Sequence, residues 1–358
     1  MAILFSLLAT SASSADQPQY TLGDVHIPPA TADEPVRNAV SLELAGRYLE
    51  QGALAWNTGR KCISCHTNGT YMAIRPSLGR PPDDTRQFFV STLNVMLGEE
   101  KESLTRSTRP AQAIYLAAGL AEWDAHVTKS LSPETEQAIA LMLDIQTDQG
   151  SWGTLDCWPP YESDAFHEAT VAATAIGTAP GWLDRLSDPK NEKLAPKVEL
   201  LRTYLRTTTP PHDYGRTLLL WSSLRFSGLL DDAQQHALRE MLLKHQRDDG
   251  GWSIRTFAAP EAWGRGNRAE KLRAEPDFAT PASDGHMTGL AIVVLREAGL
   301  PANDPRVQKG LAWLKSNQRE SGRWWTRSLN TDSWHFITYS GTAFPLLALQ
   351  MCESPAVQ

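Results

Sequence analysis

The sequence predicts an all-α protein built as an α/α toroid, in which inner and outer helices form two concentric layers. Two observations lead to this prediction: a turn of fixed composition recurs three times, and amphipathic helices alternate with largely apolar ones. The 358 residues, of which 41% are hydrophobic and 21% charged, can bury a core of the required size.

The recurring turn consists of Gln, three polar residues, Gly, one further residue and Trp. Its copies are QTDQGSW at 146–152, QRDDGGW at 246–252 and QRESGRW at 318–324. The helices before the first and third copies begin alike, with Ser132 or Asp304 as N-cap and proline at the first helical position. The glycine supplies the left-handed conformation that ends a helix.

A more apolar helix follows each turn, in the segments HEATVAATAIG, DGHMTGLAIVVLREAG and YSGTAFPLLALQ. Two further segments, PAQAIYLAAGLAEW and DYGRTLLLWSSL, have the same character. An apolar helix is buried on all sides, whereas an amphipathic helix covers it with one face. The alternation therefore predicts two helical layers, arranged as a toroid or a solenoid.

The segment KGLAWLKSNQRESGRW at 309–324 resembles the QW motif of squalene–hopene and oxidosqualene cyclases. Prenyltransferase β subunits share the fold of these cyclases. The resemblance covers roughly residues 100–352 and implies a terpenoid cyclase/prenyltransferase-like toroid. It also implies a cavity suited to isoprenoid chains, and so a hydrophobic small molecule or lipid as substrate.

In those cyclases an Asp-x-Asp-Asp-Thr motif at the start of an inner helix supplies the acid that protonates an alkene. The matching stretch here places Glu168 at the middle Asp and Thr170 at the Thr. Phe166 and Ala169 replace the flanking carboxylates, which argues against cyclisation started by a proton.

Three more polar residues crowd the same turn: Glu162, Asp164 and His167. Together with Glu168 they are candidates for acid–base catalysis. Alternatively, Glu162 and Asp164 solvate a turn while Glu168 and Thr170 cap the helix.

The prenyltransferase β subunits hold zinc with an Asp-x-Cys at the start of one inner helix and a histidine at the start of a later one. The corresponding residues are Asp284, His286 and His335, with histidine in place of cysteine. Such a set with an open fourth position suits catalytic zinc. Each residue could instead be a helix cap or a hydrogen-bonded histidine.

A separate motif, Cys62-x-x-Cys65-His66, lies in RKCISCHTNGTYMAIRP at 60–76. The motif and its context resemble those of c-type cytochromes. The resemblance implies a covalent haem c on the two cysteines, with His66 as proximal iron ligand. The alternatives are a disulfide between the cysteines or part of a zinc knuckle.

The position of this motif predicts where the haem lies. Residues 36–54 indicate an outer-type helix, and the motif follows it where later repeats have their turn. We therefore expect the haem at the end of the toroid where inner helices begin, near Glu168, Asp284 and His286. The long segment 253–283 is expected to act as a lid or a haem clasp.

The chain divides into four predicted parts. Residues 1–15, MAILFSLLATSASSA, are typical of a signal peptide, which predicts a periplasmic or otherwise exported protein. Residues 16–35 are an extended lead-in, 36–99 a helical segment with the haem motif, and 100–352 the toroid. No segment is apolar enough to span a membrane after processing.

Charge and the remaining cysteines add two expectations. The net charge of −7 without a basic run argues against nucleic acid as a partner. Cys157 and Cys352 either pair or remain buried as thiols.

Together these features predict a haem protein that binds a hydrophobic substrate and oxidises it or exchanges electrons with it. A periplasmic redox partner is expected. One alternative is a cyclase or transferase relative without haem, which uses Glu168 or the metal set Asp284, His286 and His335. The other is a binding or electron-relay module without catalysis.

Overall fold

The computed structural model describes residues 19–154, 158–161, 164–330 and 336–353. These residues are mostly helical, which confirms the predicted all-α character. The predicted signal peptide lies outside the described residues. Within them, one antiparallel hairpin pairs β1 (Tyr20–Leu22) with β2 (Val25–Ile27). The sequence predicted this segment as extended lead-in, without the pairing.

Apart from two helices of four and five residues, the α-helices fall into two kinds, which differ in how much of each helix is buried. In chain order they are α1 (Leu42–Arg60), α2 (Asn68–Ile74), α3 (Asp83–Leu97), α4 (Lys101–Leu104), α5 (Arg109–Trp123), α6 (Pro133–Asp144), α7 (Ala165–Thr178), α8 (Ala195–Thr207), α9 (Asp213–Ser223), α10 (Asp232–Lys244), α11 (Ala269–Arg273), α12 (Gly285–Glu297), α13 (Pro305–Asn317) and α14 (Ile337–Glu353). Helices α2, α5, α7, α9, α12 and α14 are buried along most of their length, whereas α1, α3, α6, α8, α10 and α13 bury one face. Among the described residues no helix is both long and apolar enough to cross a bilayer.

The buried helices contact one another in chain order. Helix α2 packs on α5, α5 on α7, α7 on α9, α9 on α12 and α12 on α14. Helix α14 also packs on α2 and α1, so the last helix lies beside the first two. The amphipathic helices lie against the outside of this set, as their one-sided apolar faces require.

Helices α12 and α14 make the closest of these contacts. A Cβ added at Gly289 would lie 2.4 Å from the backbone nitrogen of Pro345. Any side chain at this position would therefore push the two helices apart. Because Gly289 has no side chain, the backbones of α12 and α14 can lie in contact.

The three tryptophan turns share one geometry. In each, the indole nitrogen donates a 2.8 Å hydrogen bond to the carbonyl oxygen of the residue ten positions earlier. The tryptophans are Trp152, Trp252 and Trp324, and all three are buried. The bond satisfies a carbonyl near the end of the preceding helix, where an intrahelical partner is missing.

The glutamines of the second and third turns contact another amphipathic helix or its N-cap. Gln246 Nε2 donates to the carbonyl of Arg306 in α13 at 2.7 Å. Gln318 contacts Ser41, the N-cap of α1, twice: its Oε1 accepts from the Ser41 amide at 2.7 Å, and its Nε2 donates to the Ser41 carbonyl at 2.9 Å. The third turn therefore joins the end of the described chain to its beginning.

Replacing Gly322 by alanine should test this junction. Gly322 has φ +88°, and an added Cβ would lie 2.5 Å from Leu44 Cβ in α1. Gly299 has φ +89° and nothing within 4 Å of the added Cβ, so Gly299→Ala reports the backbone strain alone, roughly 1–2 kcal/mol. We expect Gly322→Ala to lower the free energy of unfolding by about 1–3 kcal/mol more, because α1 must move. Urea unfolding followed by circular dichroism measures both; equal losses would show that the turn does not hold α1.

Candidate functional site: a cavity at the cysteine motif

The cysteine motif forms a tight turn between α1 and α2, and side chains of α2 fix its backbone. Asn68 Oδ1 accepts from the Ser64 amide at 2.7 Å, and Asn68 Nδ2 donates to the Cys62 carbonyl at 3.0 Å. Thr70 Oγ1 donates to the Cys65 carbonyl at 2.7 Å. The positions of both cysteines are thus set by hydrogen bonds that involve neither sulfur atom.

Cys62, Cys65 and His66 line one cavity of about 690 Å³. The structure records both cysteines as thiols. Burial raises the pKa of the Cys62 thiol. The cavity is open to solvent on one side, so a large ligand could enter without unfolding of the surrounding helices.

The rest of the cavity wall is aromatic and basic. Trp56, Trp158 and Phe336 supply its aromatic surface. Of the described residues that line it, only Arg60 and Arg268 are arginines or lysines, and none is an acid. Arg268 belongs to the segment 253–283, which the sequence predicted to be a lid or clasp. This wall suits a ligand with a flat apolar body and negative groups.

The His66 ring is fixed on three sides. It stacks on Phe336 with ring centroids 4.1 Å apart and meets the edge of Trp56 at 4.7 Å. Its Nδ1 lies 2.8 Å from Thr67 Oγ1. Burial lowers the pKa of His66 to about 3, so the imidazole is neutral at physiological pH and can act as a metal ligand.

A second cavity, of about 80 Å³, lies among the buried helices. Most of its wall is apolar, but Tyr115, Tyr161, His167 and Tyr214 line it with polar atoms. His167 and Tyr214 stand in the first turns of α7 and α9. The polar groups therefore lie where two buried helices begin.

The far side of this inner cavity is lined by an ion pair. Arg225 follows α9 and is hydrogen-bonded to Glu122 of α5 and, at 2.8 Å, to Glu297 of α12. The two carboxylates raise the pKa of the Arg225 guanidinium. The pairing joins three buried helices, and it offsets the cost of placing these charges inside the protein.

Three of the four candidate acid–base residues at the start of α7 belong to the described residues. Asp164 is the N-cap of α7 and accepts from the His167 amide at 2.8 Å. His167 Nε2 lies 3.0 Å from the Tyr115 hydroxyl, and burial lowers the pKa of His167 to about 4. Glu168 is 1% exposed. Glu162 lies outside the described residues. The helix is thus capped by Asp164 and not by Glu168 and Thr170, to which the alternative interpretation gave this role. Glu168 stays a buried candidate acid.

The predicted zinc ligands have other partners where the structure describes them. Asp284 accepts from the amides of Met287 and Ile254 at 2.8 and 2.7 Å, and burial raises its pKa to about 6. His286 is hydrogen-bonded through both ring nitrogens. His335 lies outside the described residues, and within them no group of three or more His, Cys, Asp or Glu could hold a metal ion. The zinc set stays a prediction.

His286 is the centre of a buried hydrogen-bond network. Its Nε2 lies 3.3 Å from the Tyr214 hydroxyl and its Nδ1 lies 2.7 Å from Ser340 Oγ. Ser340 is also hydrogen-bonded to the Tyr161 hydroxyl. Burial lowers the pKa of His286 to about 3, so the network holds a neutral imidazole.

Tyr161 stands between the two cavities. It lines the inner cavity, and its ring centroid lies 6.2 Å from that of His66, which lines the cavity at the cysteine motif. The His286 ring centroid lies 6.3 Å away. Tyr161, Tyr115 and Tyr214 were not among the residues predicted from the sequence. For the last two, the available signal was a single tyrosine in a largely buried helix, where its hydroxyl needs a partner.

Of the two remaining cysteines, only Cys352 belongs to the described residues. Cys352 is a half-buried thiol on α14. Cys157 lies outside the described residues, so their pairing stays an open prediction.

Comparison with known proteins gives one partial match and no family. No family model matches the chain. A terpene cyclase–glycosyl transferase fusion protein of Humicola fuscoatra is 33% identical over 141 residues, which cover 37% of this chain and 9% of that protein. The chain thus spans a small part of this relative. The similarity and the helical structure are consistent with a terpenoid-cyclase-like fold.

The neutral state of His286 predicts how stability depends on pH. In the unfolded chain a histidine has a pKa of about 6.5, whereas His286 has a pKa of about 3 when folded. Below pH 6.5 only the unfolded chain binds this proton, so stability is full above pH 6.5 and falls toward pH 3, by up to ~1.4 kcal/mol per pH unit. Half-buried His66 and buried His167, whose pKa values are also lowered, add to the slope. We expect His286→Gln to make the slope between pH 6.5 and 4.5 shallower by about 1 kcal/mol per pH unit.

Urea unfolding at several pH values measures this slope. The matched control is His236→Gln, because His236 is exposed on α10, and this variant should keep the wild-type slope. A wild-type slope in His286→Gln would mean that His286 is protonated in the folded protein.

Proposed function

We propose that the protein is an exported c-type haem protein with a terpenoid-cyclase-like toroid, which exchanges electrons with a hydrophobic substrate. One observation carries the proposal: the two thiols and the imidazole of the cysteine motif line a single cavity of about 690 Å³. That volume lies within the range of ~300–1,000 Å³ typical of cofactor and ligand sites.

The chemistry of the cavity fits a haem in three respects. Cys62 and Cys65 would form the two thioether bonds, and a neutral His66 would bind the iron. Aromatic side chains suit the flat apolar ring. Arg60 and Arg268 offer two positive charges, as many as the two propionate groups of a haem need.

Bound here, a haem would supply one-electron redox chemistry. The chain's own residues would hold it and control access to it. Trp56 and Phe336 would exclude water from one face of the site, and Arg268 would bring the segment 253–283 to its edge. Tyr161 would separate the haem from a molecule in the inner cavity.

The helix contacts support the toroid. The buried helices touch in chain order and α14 returns to α2, while Gln318 joins the last turn to Ser41 at the start of α1. A closed ring of inner helices within an outer layer explains all of these contacts. The inner cavity is mostly apolar and so favours a hydrophobic ligand over a charged one, although its volume of about 80 Å³ is too small for a whole isoprenoid chain.

The signal peptide predicted at 1–15 supports export. Thioether attachment of haem takes place outside the cytoplasm, so the cysteine motif and an exported location agree with each other. A periplasmic protein that exchanges electrons needs a redox partner, and we propose that it has one.

Haem attachment can be tested by expression with the signal peptide in a host competent for cytochrome c maturation. We expect about one haem per chain in the reduced pyridine haemochrome spectrum, retained after acid–acetone extraction because the bonds are covalent. Cys62→Ser/Cys65→Ser should lose it. Cys352→Ser, which changes a thiol outside the cavity, should keep it. A colourless wild-type protein, exported beside a maturing control cytochrome, would refute the proposal.

A second function is favoured by the match to a terpene cyclase fusion protein. In this alternative the chain is a cyclase or transferase relative that needs no haem, and Glu168, buried at the start of α7, is its acid. A module that carries haem but converts no substrate is the remaining alternative, and it differs from the first proposal only in the absence of turnover.

Glu168→Gln separates these functions. If Glu168 is the acid, incubation with squalene or geranylgeranyl diphosphate gives a product by gas chromatography–mass spectrometry, and Glu168→Gln lowers its rate by roughly 10²–10⁴-fold. Glu199→Gln, on the exposed side of α8, is the control. The double cysteine variant would keep this activity. Under the haem proposal wild type gives no cyclised product, and Glu168→Gln leaves the haem content unchanged.

A further inference from the structure

Two hydroxyl groups connect the N-terminal hairpin to His66. The Tyr20 hydroxyl in β1 lies 3.0 Å from Thr67 Oγ1. Thr67 Oγ1 lies 2.8 Å from His66 Nδ1. A residue 46 positions before His66 in the chain is thus linked to one specific atom of its imidazole.

The Tyr20 hydroxyl has a fixed position because aromatic rings surround its ring. The centroids of Tyr48, Phe336 and Tyr339 lie 6.4, 6.1 and 6.0 Å away. The residue is 4% exposed. The tyrosine hydroxyl therefore cannot turn toward water without moving α1 or α14, which supply these rings or adjoin them.

Thr67 is equally constrained. It is fully buried, its amide donates to Ser64 Oγ at 3.2 Å, and its carbonyl accepts from the Tyr71 amide at 2.8 Å. Its side chain does not cap α2. The hydroxyl is left to interact with His66 and Tyr20, so its role at this position is specific to those two residues.

The direction of these hydrogen bonds decides which nitrogen of His66 can bind a ligand. A neutral imidazole carries one proton, on Nδ1 or on Nε2, and the nitrogen without it is the one that can coordinate iron. If the Thr67 hydroxyl donates to Nδ1, the proton is on Nε2 and that atom cannot coordinate. If Nδ1–H donates to Thr67 Oγ1, Nε2 has its lone pair available.

We propose that Thr67, oriented by Tyr20, is a positioning residue that holds His66 with its proton on Nδ1. Nδ1–H donates to Thr67 Oγ1, and the Thr67 hydroxyl donates to the Tyr20 oxygen. The inference rests on the proposed function, in which His66 binds the iron; with the proton on Nδ1, the nitrogen left to bind is Nε2. Partners of this kind at the second nitrogen fix the ring and make the imidazole a stronger donor.

The tautomer of His66 can be determined in the protein without haem. The full chain, made in a host that lacks the attachment machinery and labelled with ¹⁵N at histidine, gives the two tautomers from two-bond ¹H–¹⁵N correlations. We expect mainly Nδ1–H in wild type. Thr67→Val, which keeps the shape of threonine, should lower the ratio of Nδ1–H to Nε2–H by roughly five- to tenfold, the effect of one hydrogen bond. Thr67→Ser should restore the ratio and Tyr20→Phe should give an intermediate one.

The haem-loaded protein supplies a second readout. Loss of the hydrogen bond makes His66 a weaker donor to iron, so the reduction potential of Thr67→Val should be higher than that of wild type and Thr67→Ser.

The outcomes separate the two proposals. Mainly Nε2–H in wild type, or a ratio and potential that Thr67→Val leaves unchanged, would overturn the role of Thr67 even if haem attaches. Failure of haem attachment with the expected tautomer would refute the proposed function and leave the hydrogen-bond direction established.

Discussion

The hydrogen bonds between Gln318 and Ser41 are the constraint on which the rest of the structure depends. They hold the last tryptophan turn against the N-cap of α1, and α14 can therefore pack on α1 and α2. The cavity at the cysteine motif needs this closure, because His66 comes from the start of the chain and Phe336 from its end. A chain with the same helices in an open array would leave this wall unformed.

The hydrogen bonding of polar groups inside the protein depends on the same closure. Once the buried helices meet, the hydroxyls and imidazoles in their first turns have no water to bind, and each must find a protein partner. His286 is hydrogen-bonded to Tyr214 and Ser340, and His167 is hydrogen-bonded to Tyr115. Desolvation keeps both histidines neutral, so the helix starts provide hydrogen-bond donors and acceptors without charge, whereas the paired charges of Glu122 and Arg225 line the far side of the inner cavity.

Local sequence signals predicted the helices well and the cavities less well. The glycine and tryptophan of each turn lie close in sequence to the helix that they end. A short local pattern is therefore enough to predict where α6, α10 and α13 end. The cavity wall combines residues that the chain separates widely, such as Trp56 and Arg268, and no local pattern pairs them. The hairpin was missed because three-residue strands carry almost no periodic signal. The cysteine motif indicated its own three residues but not Thr67 or Tyr20, whose relation to His66 arises only from packing.

The closure of the chain also has a consequence for the order of events during folding. Contacts between the two ends of a sequence are the slowest to form, since the intervening chain must first become compact. Until α14 docks, Phe336 is absent from the cavity and the thiols of Cys62 and Cys65 face solvent. An enzyme that modifies these thiols would have its widest access to them during this interval, before Phe336 completes the cavity wall.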